Sequence, residues 1–292
     1  MPRPTYDELF ESVPAEQRGL LERFWLDHTY TPRTLAGTPW RYIVMGGGRR
    51  TIVLLPHALL PADSWLSLAL VLEGHYRLLI PDGYALQSIY EPLRICESVI
   101  QMLEAEGAYS ATVIAHSAGG SPAQLLLQRW PHRVQHLLLC HSPALAPEVP
   151  LTYAGRDRAL RLFRTQPLNH HTARGLFPRL PAEGEWSAFA EAYLELCLLA
   201  VDRDQLGRTL AAEKLMRTLY RPDPGTLDSW RGSVLYVTAR DDPFAGDSLS
   251  IYRERYPRLE ASAFDAGGHW THLLYPELFA GRVQRFLSEH SL

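Results

Sequence analysis

Short, continuous runs of apolar residues alternate along this chain with amphipathic stretches, and that alternation limits the folds open to it. Trp40–Met45, Thr51–Leu55, Tyr76–Ile80, Ala111–Ala115, Val134–Cys140, Ser233–Thr238 and Leu259–Phe264 read as strands. Most are stopped by proline or glycine, as at Gly46-Gly47-Gly48, Pro56 and Pro81-Asp82-Gly83. Between them lie helical patterns. Ile89, Leu93, Cys96, Ile100 and Leu103 recur close to a 3.6-residue period, and further helices are expected over 123–130, 246–256 and 276–287. Strands that are apolar on both faces and separated by helices belong to a parallel sheet covered by helices. The expected fold class is therefore α/β, with a mostly parallel central sheet.

From about Pro143 to Pro224 the alternation stops. Only helical stretches are read there, near 155–165, 184–201 and 206–219. The expected organisation is an N-terminal extension over 1–37, an α/β core in two pieces, 38–144 and 226–292, and a helical cap inserted over 145–225. The insert leaves the sheet at the carboxyl end of a strand, where open parallel sheets bind ligands, so it reads as a lid or as a packing embellishment. In the extension, Leu20, Leu21, Phe24 and Trp25 form an apolar stripe. It suits a helix docked on the core, or a partner or homodimer surface.

Composition narrows the classes of function. Of 292 residues, 46% are hydrophobic and 21% charged, with a formal net charge of −3. A nucleic-acid partner should show a clustered basic excess, and none is present. No apolar run approaches the roughly 20 residues of a membrane helix, and the first 30 residues, with Asp7, Glu8, Glu11 and Glu16, lack a signal-peptide core. Cys96, Cys140 and Cys197 are far apart and set in apolar runs, as buried thiols of a reducing compartment would be. A cytoplasmic location and a small-molecule substrate are expected. No Gly-x-Gly-x-x-Gly follows the first strand, no Walker-type loop occurs, and the adjacent His170-His171 lack a cysteine or carboxylate companion. Neither cofactor nor metal is expected.

The chemistry is concentrated in Thr112-Val113-Ile114-Ala115-His116-Ser117-Ala118-Gly119-Gly120, where a strand runs into a small-x-Ser-x-Gly turn and then a helix. Such a turn holds the serine in a strained conformation above the sheet, and the following helix offers free N–H groups to a developing oxyanion. This segment resembles the nucleophile elbow of the α/β-hydrolase superfamily, and the resemblance spans about residues 38–290. Ala115 stands where the family pattern has its first glycine. His116 reads as a packing residue.

The resemblance implies a Ser–acid–His order, with Ser117 as nucleophile. It maps the acid onto Asp242 in Ala239-Arg240-Asp241-Asp242-Pro243, with Asp241 as the alternative, and the base onto His269 in Asp265-Ala266-Gly267-Gly268-His269-Trp270. The other position used for the acid, after the strand that follows the elbow, reads Cys140-His141-Ser142-Pro143 and holds no carboxylate. Serine needs an imidazole to take its proton, and the imidazole needs a carboxylate to fix its tautomer. Oxyanion donors are expected at the backbone of Ala118 and, in Pro56-His57-Ala58-Leu59-Leu60, at Leu59, with Ala58 as alternative. Trp65, Trp270 and Phe244, with Phe163, Phe177, Trp186 and Tyr193 of the insert, are core residues or the wall of an apolar pocket.

The implied activity is hydrolysis of a carboxylic ester or thioester through an acyl-enzyme. C–C bond hydrolysis and acyl transfer on the same triad are alternatives. A narrower similarity, to maspardin-type proteins, rests on Leu137–Ser142, the Ala266–His269 loop and Leu55-Pro56. Members of that group can lack a complete triad, and alanine replaces glycine at 58, 115 and 239. A non-catalytic ligand- or protein-binding scaffold therefore stays open.

Overall fold

The computed structural model describes residues 4–83, 91–146, 184–201, 215–216, 220, 224–244 and 246–290. Their strands are β1 (Tyr30–Leu35), β2 (Thr38–Met45), β3 (Arg50–Leu55), β4 (Tyr76–Pro81), β5 (Ala111–His116), β6 (Val134–Cys140), β7 (Val234–Ala239) and β8 (Leu259–Phe264). They form one eight-stranded sheet in the order β1-β2-β4-β3-β5-β6-β7-β8. β2 is antiparallel to both β1 and β4, and every other pair is parallel.

The helices are α1 (Tyr6–Leu9), α2 (Ala15–Asp27), α3 (Leu66–Leu72), α4 (Pro92–Ala105), α5 (Gly120–Arg129), α6 (Ser187–Ala200), α7 (Ser248–Arg255), α8 (Thr271–Leu274) and α9 (Pro276–Glu289). They cover both faces of the sheet. Alternate residues of each central strand feed opposite layers, because side chains along a strand point to opposite faces. Ile52, Leu54, Ile114, Leu138, Leu235 and Val237 pack with α2, α3, α6, α8 and α9. Val53, Leu55, Val113, Leu137, Leu139 and Tyr236 pack with α4, α5 and α7. Both faces being covered explains the continuous apolar runs.

Three local readings change. The sheet begins inside the segment expected to precede it: β1 pairs with β2 from Tyr30↔Ile43 to Leu35↔Thr38. Ala36 and Gly37 close this hairpin with φ of 47° and 75°, the positive values a two-residue turn demands. β1 hides from periodicity because it is an edge strand, mostly polar and carrying Pro32. α4 buries Ile95, Val99 and Met102 alongside Cys96 and Leu103, so its apolar face is rotated away from Leu93 and Ile100. α5 starts at Gly120, which puts Pro122 in its first turn, where a missing N–H costs no helical bond.

α2 docks on the core through Leu21 and Phe24. Of the insert, the expected helices near 155–165 and 206–219, with Phe163 and Phe177, lie essentially outside the described residues, whereas α6 is described. Its Phe189 packs edge-on against Phe10, with ring centroids 6.1 Å apart. Gln17 Nε2 donates to the Glu185 carbonyl at 2.9 Å. Trp186 and Tyr193 are buried in the same layer, as are Trp65 and Trp270.

Candidate active site

The carboxyl ends of β5, β7 and β8 converge on one buried cluster. Ser117 follows β5 with φ 51°, a left-handed conformation that is costly for a residue with a Cβ. The turn is tight. A Cβ on Gly119 would lie 2.5 Å from the Pro56 carbonyl oxygen, and one on Gly120 would lie 2.2 Å from Ser142 Oγ. These two glycines are required by close approach, whereas Ala115 is accommodated in the fully buried end of β5.

His269 sits in the loop after β8, where Gly267 and Gly268 have φ of 121° and 54°. Its Nε2 is 2.6 Å from Ser117 Oγ. Its Nδ1 is 3.1 Å and 3.2 Å from the two oxygens of Asp242. The neighbouring aspartate does something else: Asp241 accepts the backbone N–H groups of Gly267 at 3.3 Å and Gly268 at 2.8 Å. Of the two candidate acids, Asp242 reaches the imidazole and Asp241 braces the loop that carries it.

Asp242 also accepts Phe244 N–H at 2.9 Å and lies 2.7 Å from His141 Nδ1. Burial alone would raise its pKa, but the facing His269 and the hydrogen bonds from His141 and His269 outweigh burial and hold it well below the carboxylate range. An ionised carboxylate only accepts. Both Nδ1 atoms therefore carry protons, and His269 Nε2 presents a lone pair to the Ser117 hydroxyl. Nitrogen and oxygen atoms of His141, Asp242 and His269 lie within 4.8 Å of one another, close enough to hold a metal ion as well.

More imidazoles surround the cluster. His116 Nε2 is 2.9 Å from the His269 carbonyl oxygen, so it fixes the backbone of His269, and its ring packs 4.3 Å from that of His272. Burial, reinforced by the neighbouring imidazoles, keeps His116 and His272 well below the usual histidine value. Of the candidate pocket aromatics, Phe244 lies 4.7 Å and Trp270 5.3 Å from the His269 ring.

The expected oxyanion donors fare differently. Ala118 lies in the short 3-10 turn Ser117–Gly119 that leads into α5, where N–H groups are not consumed by the helix. The N–H of Leu59 is directed at His57 Nδ1, 3.0 Å away. Residues 57–60 form a tight turn closed by Leu60 N–H on the His57 carbonyl at 2.8 Å, and the imidazole folds over that turn to take the next donor. Burial pushes His57 down to about 3, so its Nδ1 stays an acceptor. Sequence reasoning did not find His141 or this His57 contact. His141 has no signal of its own in the sequence, where the resemblance allows only a carboxylate a role at that strand end.

The sheet order and the placement of these loops can be compared with known proteins. No family model matches the chain. It is 20% identical over 188 residues, 61% of this chain and 67% of that protein, to the abhydrolase domain-containing protein C22H12.03 of Schizosaccharomyces pombe. A meta-cleavage product hydrolase from Pseudomonas fluorescens IP01 superposes with a TM-score of 0.71 at 17% identity, covering 90% of this chain and 99% of that one. The fold is the α/β-hydrolase fold. A thermophilic esterase from Thermogutta terrifontis has it too, with a TM-score of 0.70 at 18% identity over 90% of this chain and 100% of its own. Among the described residues no helix is long and apolar enough to cross a membrane.

Proposed function

We propose that this chain is a serine hydrolase that cleaves an uncharged carboxylic ester or thioester of moderate size. The observation that carries the reading is the 2.6 Å approach of Ser117 Oγ to His269 Nε2, with Nδ1 of the same ring on the ionised Asp242. In the first half-reaction the Ser117 proton passes to Nε2 as Oγ bonds to the acyl carbon. The tetrahedral oxyanion is held by the backbone N–H of Ala118 and by that of Leu59 once it leaves His57 Nδ1. It collapses with loss of the alcohol or thiol, which takes the proton from His269. Water, deprotonated by the same nitrogen, then attacks the acyl-enzyme and releases the acid and Ser117. The residues of 145–225 act as a lid anchored through α6, and Phe244 supplies apolar wall beside the base. The buried thiols of Cys96, Cys140 and Cys197 support a cytoplasmic site of action.

The test is covalent labelling of Ser117 by a fluorophosphonate, followed by turnover of nitrophenyl esters of increasing acyl length, each with Ser117→Ala as control. Labelling and turnover that vanish in Ser117→Ala are expected. Undiminished turnover in that variant overturns the proposal.

One observation favours a second reading, a binding scaffold that retains the pocket. Leu59 N–H already donates to His57, and losing one oxyanion donor typically costs about 10²–10³ in rate. A folded protein that binds ligand but resists the fluorophosphonate decides for the scaffold.

A further inference from the structure

Asp242 accepts from two imidazoles, and the one nearer to it is not the one that faces Ser117. His141 Nδ1 lies 2.7 Å from Oδ2, while the His269 contacts are 3.1 Å and 3.2 Å. His141 is fully buried. It leaves β6 with φ 52°, a conformation kept by an ordinary residue only where its surroundings over-determine it. Its backbone N–H donates to the Val237 carbonyl at 2.7 Å, which ties it to the strand leading to Asp242. Its Nε2 is 2.6 Å from Thr271 Oγ1, two residues beyond His269.

The geometry points to His141 as a positioning residue of the proposed hydrolase, one that holds the Asp242 carboxylate and, through Thr271, couples the acid loop to the loop of the base. The inference rests on the reading of Ser117, His269 and Asp242 as the catalytic set. The ionised carboxylate has no proton to give, so His141 donates from Nδ1, its Nε2 accepts, and the Thr271 hydroxyl donates. By donating, His141 draws charge from Asp242 and tempers the carboxylate's pull on the Nδ1 proton of His269. Other titratable groups near the pair are Asp241, occupied by the Gly267 and Gly268 N–H groups, and His116, whose ring is 5.8 Å from His141 and 5.1 Å from His269. His57 is 6.5 Å from His269, and His272 packs against His116.

The experiment compares the full-length wild type with His141→Ala, His141→Asn and Thr271→Val. It reads the pH dependence of fluorophosphonate labelling at Ser117 and the resonance of the His269 Nδ1 proton. In His141→Ala, loss of a hydrogen bond to a charged group slows labelling about 10- to 100-fold. Asp242 then bears more charge, so the acid limb of the profile moves to higher pH and the Nδ1 resonance moves downfield. Asparagine tolerates the left-handed backbone and offers an N–H where Nδ1–H lies, so His141→Asn returns both toward wild type. Thr271→Val shifts both in the same direction as His141→Ala but less, and it keeps the test usable if alanine at 141 does not fold. Slower labelling with limb and resonance unmoved, or an asparagine variant indistinguishable from alanine, overturns the inference. A wild type that resists labelling sinks the hydrolase reading instead, and the resonance series alone then decides the role of His141.

Discussion

Tyr193, on the inserted helix α6, donates a 2.6 Å hydrogen bond to Asp63, which follows the loop after β3. The indole N–H of Trp25 on α2 donates to the other oxygen of the same carboxylate. One buried group thus joins α2, the segment after β3 and α6. Burial raises Asp63 above the usual carboxylate value in spite of these two donors. Tyr193→Phe removes one of them and leaves the carboxylate less satisfied, so unfolding free energy should fall by about 1–3 kcal/mol. Hydrogen exchange over 187–200 should rise more than exchange in β5, which separates a local loosening of α6 from a uniform loss.

Ser117 is a case where chemistry and stability pull apart. Its positive φ costs about 1–2 kcal/mol for a residue with a side chain. Glycine adopts that φ freely, although it loses more entropy on folding. Ser117→Gly should therefore raise the melting temperature slightly, by a net gain of roughly 1 kcal/mol or less, and abolish fluorophosphonate labelling. A melting temperature below that of wild type would mean that the turn is not strained.

Gly119→Ala should do the reverse. Its Cβ would meet the Pro56 and Leu55 carbonyl oxygens at 2.5 Å and 2.8 Å, so β3 or the elbow must shift. Such overpacking costs about 1–3 kcal/mol. Because the displaced backbone leads into the His57–Leu60 turn, the proposed ester turnover should fall along with the denaturation midpoint.

Acid should destabilise the protein well above the range of carboxylate titration. His57, His116, His141 and His272 are all held below the ordinary value of 6.5, chiefly by burial. Unfolding exposes them, and below about pH 6.5 the unfolded chain binds protons that the folded one refuses. Stability is then full above pH 6.5 and falls as pH drops, by about 1.4 kcal/mol per pH unit for each such ring. For His57 the loss runs down to about pH 3. Asp242, whose value is lowered, adds its own loss as pH falls through the ordinary carboxylate range and below it. Urea midpoints measured between pH 8 and 5 check the slope. A flat profile would show that the rings are protonated in the folded state.

Much of this arrangement could be read from the chain, for reasons that differ by element. Central strands announce themselves because both of their faces are buried, and Ser117, Asp242 and His269 follow strand ends that were placed correctly. β1 gave no such signal, since an edge strand owes its place to hydrogen bonds with β2 rather than to apolar surface. The contact of His141 with Asp242 was illegible for another reason. It depends on where the ends of β6 and β7 lie side by side, and His141 in the sequence is only a histidine next to a cysteine. The turn that directs Leu59 N–H at His57 is likewise a matter of backbone geometry. Its residues carry no pattern that distinguishes that turn from one with the donor left open.

The split sheet also has a consequence in time. β6 pairs on one side with β5, close by in the chain, and on the other with β7, about 90 residues later. At about 5–20 residues per second, the ribosome needs roughly 5–20 seconds to deliver that second partner. Throughout this interval the apolar edge Leu137-Leu138-Leu139-Cys140 has nothing to pair with, and unpaired edges of this kind seed aggregation. Yield during recombinant production should therefore depend on temperature and on chaperone supply more than the stability of the finished protein would indicate.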